Sequence, residues 1–178
     1  MTTAATLTTV STRCGPFTIL MRGDAVIASG WTTSSIELME PVSPRLRPTE
    51  IIERRDLGGV TRAVTRYFEG DLLAIDDVEV EQHSGPFIEQ AWQVLRNVPA
   101  GSQITYTELA AKVGRPDAVR AAANACAFNS AALFVPCHRI IRTGAGPYER
   151  RLGGFRWGLG VKRELLDHEG GAQVLTTL

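Results

Sequence analysis

Four consecutive residues, Pro136-Cys137-His138-Arg139, stand between two apolar runs, and their types could do nucleophilic chemistry. A thiol beside a base and a cation is the setting that lowers the pKa of a cysteine and makes its thiolate reactive. The flanking runs are typical of buried strands, which rarely hold His and Arg without partners. Adjacent side chains of a strand point to opposite faces, so Cys137 and His138 can cooperate only if the chain bends, which Pro136 favours. The alternative for Cys137 is an inert buried thiol.

Upstream of this tetrapeptide, the sequence predicts two short helices that resemble a helix-turn-helix. Thr105-Tyr106-Thr107-Glu108 fits a capping box, in which the threonine hydroxyl and the glutamate carboxylate satisfy opposite ends of the first-turn N–H groups. Gly114 can end the helix that this box opens. Pro116 is well placed to begin the next helix, with Asp117 favourable in its first turn.

The second of these helices has almost no side-chain bulk, because Arg120, Asn124 and Cys126 are set among six alanines at 118, 121, 122, 123, 125 and 127. One interpretation is a tightly packed core helix, since Ala is the best helix former. The other is a helix that approaches a groove closely, with Arg120 as its one long side chain. Composition alone favours the first.

The first half of the chain predicts a small α/β unit in which nothing resembles a catalytic group. Apolar runs at 17–21 and 25–28 flank a turn and predict a hairpin. Helical spacing over 60–68 predicts a helix that Gly70 stops. Residues 75–80 predict a loop leading into an edge strand, and an extended loop is expected around three prolines, Pro41, Pro44 and Pro48.

Helical spacing also marks two segments of the second half. Residues 87–95 line one helical face, and Pro99 ends the pattern. A last helix is expected from about Gly160 to Glu169, stopped by the glycines at 170 and 171, with a buried face of Val161, Leu165 and Leu166.

Composition excludes some classes of protein and divides the chain by charge. The 178 residues carry no net charge and hold no run near the ~20 apolar residues of a membrane helix, nor a secretory signal. Three cysteines do not form a disulfide framework and favour a reducing, cytoplasmic setting. Residues 1–85 carry 8 basic and 12 acidic side chains, a net charge of −4, whereas residues 86–178 carry 11 and 7, a net charge of +4. The basic half suits a polyanion, although chance explains the asymmetry equally well.

The ordered set of motifs from about residue 87 to residue 169 resembles the O6-alkylguanine-DNA alkyltransferases, also called methylated-DNA–protein-cysteine methyltransferases. The resemblance rests on the segments quoted above, on Arg120, on Asn129 upstream of the cysteine, and on Gly154-Phe155-Arg156-Trp157-Gly158 after it. It implies an α/β protein: a small N-terminal α/β domain (1–84), with a short antiparallel sheet, a helix and the Pro-rich loop, and a mostly helical C-terminal domain (85–178) with the helix-turn-helix.

The resemblance also implies a mechanism that begins with the damaged base leaving the DNA stack. Arg120 resembles the arginine that fills the vacated space, while Ala121, Ala123, Thr105 and Tyr106 would meet the DNA. Cys137 resembles the nucleophile, His138 the base that acts through a water, and Glu169 the group that orients His138. Tyr106 would protonate the leaving guanine, and Asn129 would hold the turn. The implied substrate pocket comprises Cys126, Val135, Pro136, Ile140, Phe155 and Arg156, with carbonyl oxygens near Cys137 and Ile140 accepting from the guanine amino group.

The chain departs from the family pattern in ways that concern substrate range and rate. Phe155 replaces a common Tyr, Ala123 a common Gly, and Ser130 a usual Pro. The 142–154 loop is about five residues longer than is usual for the family. No zinc ligands are matched, and His83 and His168 match nothing, whereas Cys14 and Cys126 are expected to pack inside.

The implied function is single-use DNA repair, in which the alkyl group of O6-alkylguanine moves irreversibly to Cys137, with O4-alkylthymine as a second candidate substrate. The expected partner is double-stranded DNA containing the lesion, with no membrane, no metal and no cofactor. We expect a monomer, and leave open whether copies cluster along DNA. The alternatives are a damage sensor that binds alkylguanine without transfer, which Cys137 argues against, and a Cys–His acyl hydrolase, which would need an oxyanion hole.

Overall fold

The computed structural model describes residues 3–170, which divide into two compact units. The first unit contains the chain up to His83 together with Ser130–Phe134, and the second contains Ser84–Asn129 and the chain from Val135 onward. The expected division between 84 and 85 places residues 130–134 with the second half. The structure places them in the first unit, so the chain leaves the second unit immediately before its cysteine segment and returns at Val135.

The first unit is built on a four-stranded sheet in the order β3-β2-β1-β4. The strands are β1 (Ala4–Thr12), β2 (Gly15–Arg22), β3 (Ala25–Gly30) and β4 (Glu50–Glu53). The predicted hairpin is β2 and β3. The sheet is mixed and not antiparallel throughout, because β4 runs parallel to β1. Strand β1 was not predicted, because its apolar alternation is weak, although its β-branched threonines suit a strand.

Two helices and a loop complete the first unit. The short α1 (Ser35–Met39) is capped by Ser34, whose side chain accepts a hydrogen bond from the Glu37 amide. The predicted helix is α2 (Gly59–Phe68), and it ends before Gly70, which adopts a φ of 111°. The prolines at 41, 44 and 48 lie in the turns and loop that follow α1, as expected. The expected edge strand near residue 80 is reduced to a single bridge between Val80 and Val26.

Residues 130–134 turn, although their apolar sequence predicts a strand. Ser29 of β3 donates through its amide to the Ser130 carbonyl at 2.8 Å and through its hydroxyl to the Ala132 carbonyl at 2.7 Å. Leu133 adopts a φ of 75°, a left-handed conformation that costs a non-glycine residue on the order of 1–2 kcal/mol. The run is therefore buried as a turn, because its polar groups bond to β3 at single points and not along a ladder.

The second unit is mostly helical, with a two-stranded parallel ribbon and one 3₁₀ turn. The ribbon pairs β5 (Ile104–Thr105) with β6 (Ile140–Ile141), and the 3₁₀ turn spans Cys137–Arg139. The helices are α3 (Pro86–Arg96), α4 (Tyr106–Lys112), α5 (Val119–Ala127), α6 (Tyr148–Arg151) and α7 (Leu159–His168). Within residues 3–170 no helix is long and apolar enough to cross a bilayer.

The predicted helix-turn-helix is present as α4 and α5. The capping box is complete: the Glu108 amide donates to the Thr105 hydroxyl at 3.1 Å, and the Thr105 amide donates to the Glu108 carboxylate at 2.6 Å. The predicted start of the second helix at Pro116 is wrong, because α5 begins at Val119. The Ala118 amide donates to the Arg115 carbonyl at 2.9 Å and closes a turn in which Pro116 takes the favoured first central position.

The last helix ends where the sequence predicts, but its buried face differs. Glu169 is its C-cap, and Gly170 follows with a φ of 76°. Leu165 and Leu166 are buried as expected, whereas Val161 is only half-buried and the adjacent Lys162 is completely buried. A long side chain with a charged end therefore occupies a core position.

The capping box generates a prediction about stability. Thr105→Ala should lower the free energy of unfolding by about 1 kcal/mol, because the Glu108 amide loses its acceptor. Thr105→Ser keeps the hydroxyl and should stay close to wild type in the same denaturant titration. Equal losses in both variants would show that the methyl group of Thr105, and not its cap, stabilises the helix.

Candidate active site

The 3₁₀ turn supplies the bend that the cysteine segment needs. The Cys137 amide donates to the Val135 carbonyl at 2.8 Å, and the Arg139 amide donates to the Pro136 carbonyl at 3.0 Å. A 3₁₀ turn has three residues per turn, so neighbouring side chains diverge by about a third of a turn and are not opposed, as they would be in a strand. The predicted strand before the cysteine is wrong, but β6 begins directly after the turn.

Asn129 bridges the two points where the chain leaves and re-enters the second unit. Its side-chain Nδ2 donates to the Val135 carbonyl at 2.8 Å and to Cys137 Sγ at 3.2 Å. An amide nitrogen carries two hydrogens, so it can serve both acceptors. The turn-holding role implied for Asn129 therefore matches its contacts, and the same amide places a donor on the sulfur.

A buried carboxylate joins the end of α7 to the 3₁₀ turn. Glu169 Oε1 lies 2.9 Å from His138 Nε2 and accepts from Arg139 Nη2 at 2.8 Å, while its Oε2 accepts from Arg139 Nε at 3.0 Å. Arg139 also donates through Nη1 to the Val98 carbonyl at 2.6 Å. The alternative of a solvated last-turn residue is excluded for Glu169, because it is buried and paired on both oxygens.

From sequence, Arg139 was predicted only to be a cation near the thiol. In the structure its guanidinium forms a bidentate ion pair with Glu169, the geometry for which a guanidinium is suited. The available signal was an arginine inside an apolar run, which requires a buried carboxylate somewhere else in the chain. Sequence cannot say which of seven acids in the second half provides it.

Glu169 fixes the tautomer of His138. With Nε2–H donating to the carboxylate, Nδ1 carries the lone pair, and this atom is buried without a hydrogen-bond partner among the described residues. Burial lowers the pKa of His138, and the opposing charge of Glu169 does not restore it. Burial acts to raise the pKa of Glu169, but the hydrogen bonds and charges of His138 and Arg139 outweigh it and hold that pKa well below its ordinary value. The site therefore pairs an ionised carboxylate with a neutral imidazole that can accept a proton.

The expectation of a lowered thiol pKa is wrong for the resting protein. Burial raises the pKa of Cys137, and the hydrogen bond from Asn129 and the charge of Lys162 offset only part of this effect. The physical reason is that a thiolate loses its hydration in the site, while Arg139, two residues along the chain, is already paired with Glu169. Cys137 therefore rests as a neutral thiol at neutral pH.

Cys137 opens onto a cavity of about 310 Å³ within the second unit. Of the implied pocket residues, Cys126, Phe155 and Arg156 line this cavity, whereas Val135, Pro136 and Ile140 are buried and are not among its lining. The remaining lining comes from small side chains and one aromatic, namely Tyr106, Ala123, Ala127 and Gly154. The Ile140 carbonyl, expected to meet a guanine amino group, accepts from Lys162 Nζ at 2.6 Å.

Tyr106 stands on the cavity wall at the first position of α4, directly after the capping threonine. Burial raises the pKa of Tyr106 to about 12, although a backbone hydrogen bond with Gly154 acts to lower it. The adjacent Gly153 has a φ of 72°, and a Cβ there would lie 3.1 Å from the Tyr106 hydroxyl oxygen. Tyr106 therefore keeps its proton at neutral pH, and the chain that passes its hydroxyl must be glycine.

Helix α5 fits both interpretations of its alanine-rich sequence, because one face packs in the core and the other is an exposed small-residue surface. Ala122 and Ala125 are completely buried, and the Ala125 carbonyl accepts from the Trp92 indole at 2.8 Å. The opposite face is exposed and carries Arg120, Ala123, Asn124 and Ala127. Ala121 and Thr105 are half-buried. One side of the helix is core, and the other presents a small-residue surface with a single long cation.

Of the remaining residues singled out in the sequence, Cys126 lies on the cavity wall and the others are not among its lining. Cys126 is half-buried on the cavity wall, and Cys14 is half-buried at the turn after β1, so neither is a fully packed core thiol. His83 lies 3.4 Å from Glu81 in a partly exposed pair. The long 142–154 loop contains α6, and the Arg142 amide closes it by donating to the Arg151 carbonyl at 2.8 Å.

Comparison with known proteins gives concordant results. Residues 86–171 match the family model described as 6-O-methylguanine DNA methyltransferase, DNA binding domain. The chain is 31% identical over 166 residues to the methylated-DNA–protein-cysteine methyltransferase of Shigella flexneri, covering 90% of this chain and 93% of the relative. It is 47% identical over 83 residues to the bifunctional transcriptional activator/DNA repair enzyme Ada of Escherichia coli, spanning only 22% of that longer protein. The solved structure of Mycobacterium tuberculosis OGT in complex with DNA superimposes with a TM-score of 0.74 over 94% of both chains at 26% identity.

The buried carboxylate generates a prediction with a defined pH dependence. Glu169→Gln should cost about 3–5 kcal/mol of unfolding free energy at neutral pH, because Arg139 loses its buried counter-charge. A carboxyl whose folded pKa is depressed stabilises above its unfolded pKa of about 4.3 and loses that contribution as the pH falls. The difference between wild type and variant, measured by denaturant titration, should therefore be full above about pH 5 and shrink below about pH 4.

The matched control for this measurement is Glu164→Gln, an exposed carboxylate on the same helix. It should change stability by less than about 0.5 kcal/mol at any of these pH values. A Glu169→Gln loss that stays constant from pH 7 to pH 3 would contradict an ionised, paired Glu169.

Proposed function

The chain belongs to the methylated-DNA–protein-cysteine methyltransferase family, and we propose that it repairs O6-alkylguanine in duplex DNA by moving the alkyl group onto its own Cys137. The observation that carries this proposal is that one cavity is lined by the Cys137 thiol and the protonated Tyr106, while the next residue in the chain, His138, is a neutral imidazole oriented by the buried Glu169 carboxylate. These groups are what an alkyl displacement needs, namely a nucleophile, a base for its proton and an acid for the leaving group.

Recognition begins on the exposed face of α5. Its alanines leave room for a close approach to DNA, and Arg120 is the side chain long enough to enter the stack when the damaged nucleotide rotates out. The cavity beside this face receives the base. Exposed arginines of the second unit, Arg115, Arg142, Arg150 and Arg156, supply phosphate contacts that weaken with salt. The same route would admit O4-alkylthymine.

The transfer is a displacement at the alkyl carbon. His138 Nδ1 takes the Cys137 proton through a water, the sulfur–carbon bond forms, and the carbon–O6 bond breaks. The guanine anion takes its proton from the Tyr106 hydroxyl, and the charge left on His138 is stabilised by Glu169. The atoms balance as thiol plus alkylguanine giving thioether plus guanine, with the His138 proton returning to Tyr106 through solvent.

The product explains single use. A thioether is not hydrolysed by water under cellular conditions, so the reacted thiol is not regenerated and each molecule acts once. The arrangement needs no metal or organic cofactor for the transfer, because the leaving group is activated by a proton. We place the activity in the cytoplasm, where reducing conditions suit three free cysteines, and we expect a monomer.

The second unit, within the expected 85–178 region, carries the complete set of proposed reacting groups, and residues 86–171 match the family's DNA-binding model. Residues 130–134, which lie between Asn129 and Val135 in the chain, belong to the first unit.

The nucleophile assignment predicts that Cys137→Ser abolishes transfer while binding to lesion-containing DNA survives. Intact mass after incubation with an O6-methylguanine duplex should rise by about 14 Da in wild type, saturating at one equivalent, and should not rise in the variant. Cys126→Ser removes the other cavity thiol and should retain transfer. Transfer in the Cys137 variant would refute the assignment, tight binding without mass gain in wild type would favour a sensor, and multiple turnover would favour a hydrolase.

The Arg120 assignment predicts a substrate-dependent loss. Arg120→Ala should slow transfer from a lesion in duplex DNA by at least about tenfold, roughly 1.4 kcal/mol, and leave reaction with free O6-benzylguanine within about twofold. The physical reason is that a free base needs no replacement in a stack. Arg115→Ala, an exposed arginine in the turn before α5, is the control for lost charge alone. Equal slowing with both substrates would mean that Arg120 supports the pocket.

A further inference from the structure

We propose that Asn124 and Phe128 form a second DNA contact on helix α5, directed at the undamaged strand that lies opposite the lesion. The proposal deepens the function proposed above, and it rests on that function for the placement of the lesion strand. It starts from two exposed side chains that the transfer mechanism does not use. Phe128 is 50% exposed, and Asn124 is exposed one helical turn before it.

Arg120 divides the exposed surface of α5 into two sides. Successive residues of an α-helix are rotated by about 100°, so Ala127 lies almost in line with Arg120 along the helix. Ala123 and Cys126 fall on one side of this line, and both line the cavity of the reactive thiol. This side of α5 is therefore the side that receives the damaged base.

Asn124 and Phe128 lie on the other side of this line. By the same rotation they are about 40° and 80° from Arg120, in the direction away from the cavity. The Phe128 amide donates to the Asn124 carbonyl at 2.8 Å, so the last helical turn is closed and Phe128 follows the helical register. Side chains four residues apart on a helix are neighbours. We call these two residues the distal flank of α5.

The residue types of the distal flank are unusual for a helix that is otherwise rich in alanine. Asn forms helices less well than Ala, because its side chain competes for backbone hydrogen bonds. An exposed Phe ring holds apolar surface in water, which is unfavourable until a partner covers it. Single exposed apolar side chains are common on protein surfaces, so the argument rests on the combination of ring, amide and adjacent cation.

This combination suits the chemistry of a DNA minor groove. Proteins that enter this groove use Arg and Asn to reach the base edges, and they place apolar side chains such as Phe against or between base steps. Every base pair offers acceptors at its minor-groove edge, and an asparagine amide can donate two hydrogen bonds. The small side chains of α5 allow its backbone to come close, so an amide and a ring on its flank can reach the groove.

The position of the cavity determines which strand the distal flank meets. A helix that lies in a groove has one DNA strand along each of its sides. The damaged base rotates into the cavity, so the strand that carries it lies on the cavity side of Arg120. The distal flank therefore faces the undamaged strand, close to the base that loses its pairing partner. A contact there holds that strand in place while the lesion is turned out.

The experiment compares Asn124→Ala, Phe128→Ala and the double variant with the parent protein. Dissociation constants for an O6-methylguanine duplex and for its lesion strand alone are measured in the Cys137→Ser background, which prevents transfer. Transfer from free O6-benzylguanine is measured with Cys137 intact. Leu73→Ala removes an exposed leucine of the first unit and is the control for lost apolar surface. In addition, p-benzoylphenylalanine replaces Phe128, and photocrosslinking to a duplex with differently labelled strands identifies the strand in contact.

Each single variant should weaken affinity for the duplex at least about threefold, and the double variant at least about tenfold. Affinity for the lesion strand alone and transfer from O6-benzylguanine should stay within about twofold of the parent, Leu73→Ala should change nothing, and the crosslink should form on the undamaged strand. Unchanged duplex affinity, equal weakening with duplex and single strand, or a crosslink confined to the lesion strand would overturn the proposal.

The design separates this contact from folding and from transfer. Asn124→Ala introduces the better helix former, so a loss of duplex affinity in this variant does not come from a weaker helix. If Phe128→Ala lacks a cooperative thermal transition, Phe128→Leu replaces it, and the proposal then requires duplex affinity close to that of the parent because the apolar bulk is retained. If wild type binds the duplex but gains no mass on Cys137, the proposed transfer fails, whereas the affinities and the crosslink still decide the contact.

Discussion

The structure depends on one buried carboxylate. Glu169 accepts from both nitrogens of the Arg139 fork and pairs with His138, so a single side chain at the end of α7 fixes two consecutive residues of the 3₁₀ turn. Arg139 extends the connection to the Val98 carbonyl at the end of α3. A buried charge is tolerated only when its partners are complete, so these elements must assemble together. The tautomer of His138, and hence the atom that can act as a base, follows from this assembly.

Burial shifts the pKa values of Cys137 and His138 in opposite directions, and both shifts favour the neutral form of the side chain at rest. It raises the pKa of the Cys137 thiol and lowers the pKa of the His138 imidazole. The site therefore holds its charges on Glu169, Arg139 and Lys162, whereas Cys137 and His138 are neutral. In the mechanism proposed above, the thiolate forms only as its proton moves to the imidazole.

Helix α5, whose exposed face we propose approaches DNA, carries small residues on both faces because its other face must pack in the core. Buried Ala122 and Ala125 let α5 lie close to α3, and exposed Ala123 and Ala127 leave the cavity mouth open. Gly154 also lines the cavity, and its carbonyl accepts a hydrogen bond from Lys162 Nζ at 3.3 Å. Small side chains of α5 and the Gly154 backbone therefore border the cavity that we propose receives the base.

Local sequence patterns were sufficient to predict several helices, the family and the candidate site residues of this protein. Periodicity gave α2, α3 and α7, the Thr105–Glu108 pair gave the start of α4, and the ordered motifs gave the family and the identities of the candidate reacting residues. Tertiary structure alone decided that 130–134 turns and joins the first unit, that β1 completes the sheet, and that α5 starts at Val119. It also decided that Lys162 is buried, that Arg139 pairs with Glu169, and that the pKa of Cys137 rises. The physical reason is the separation in sequence between the interacting residues. Caps and helical faces depend on residues within a few positions of one another. Burial and ion pairing depend on groups about 10 to 41 residues away in the chain.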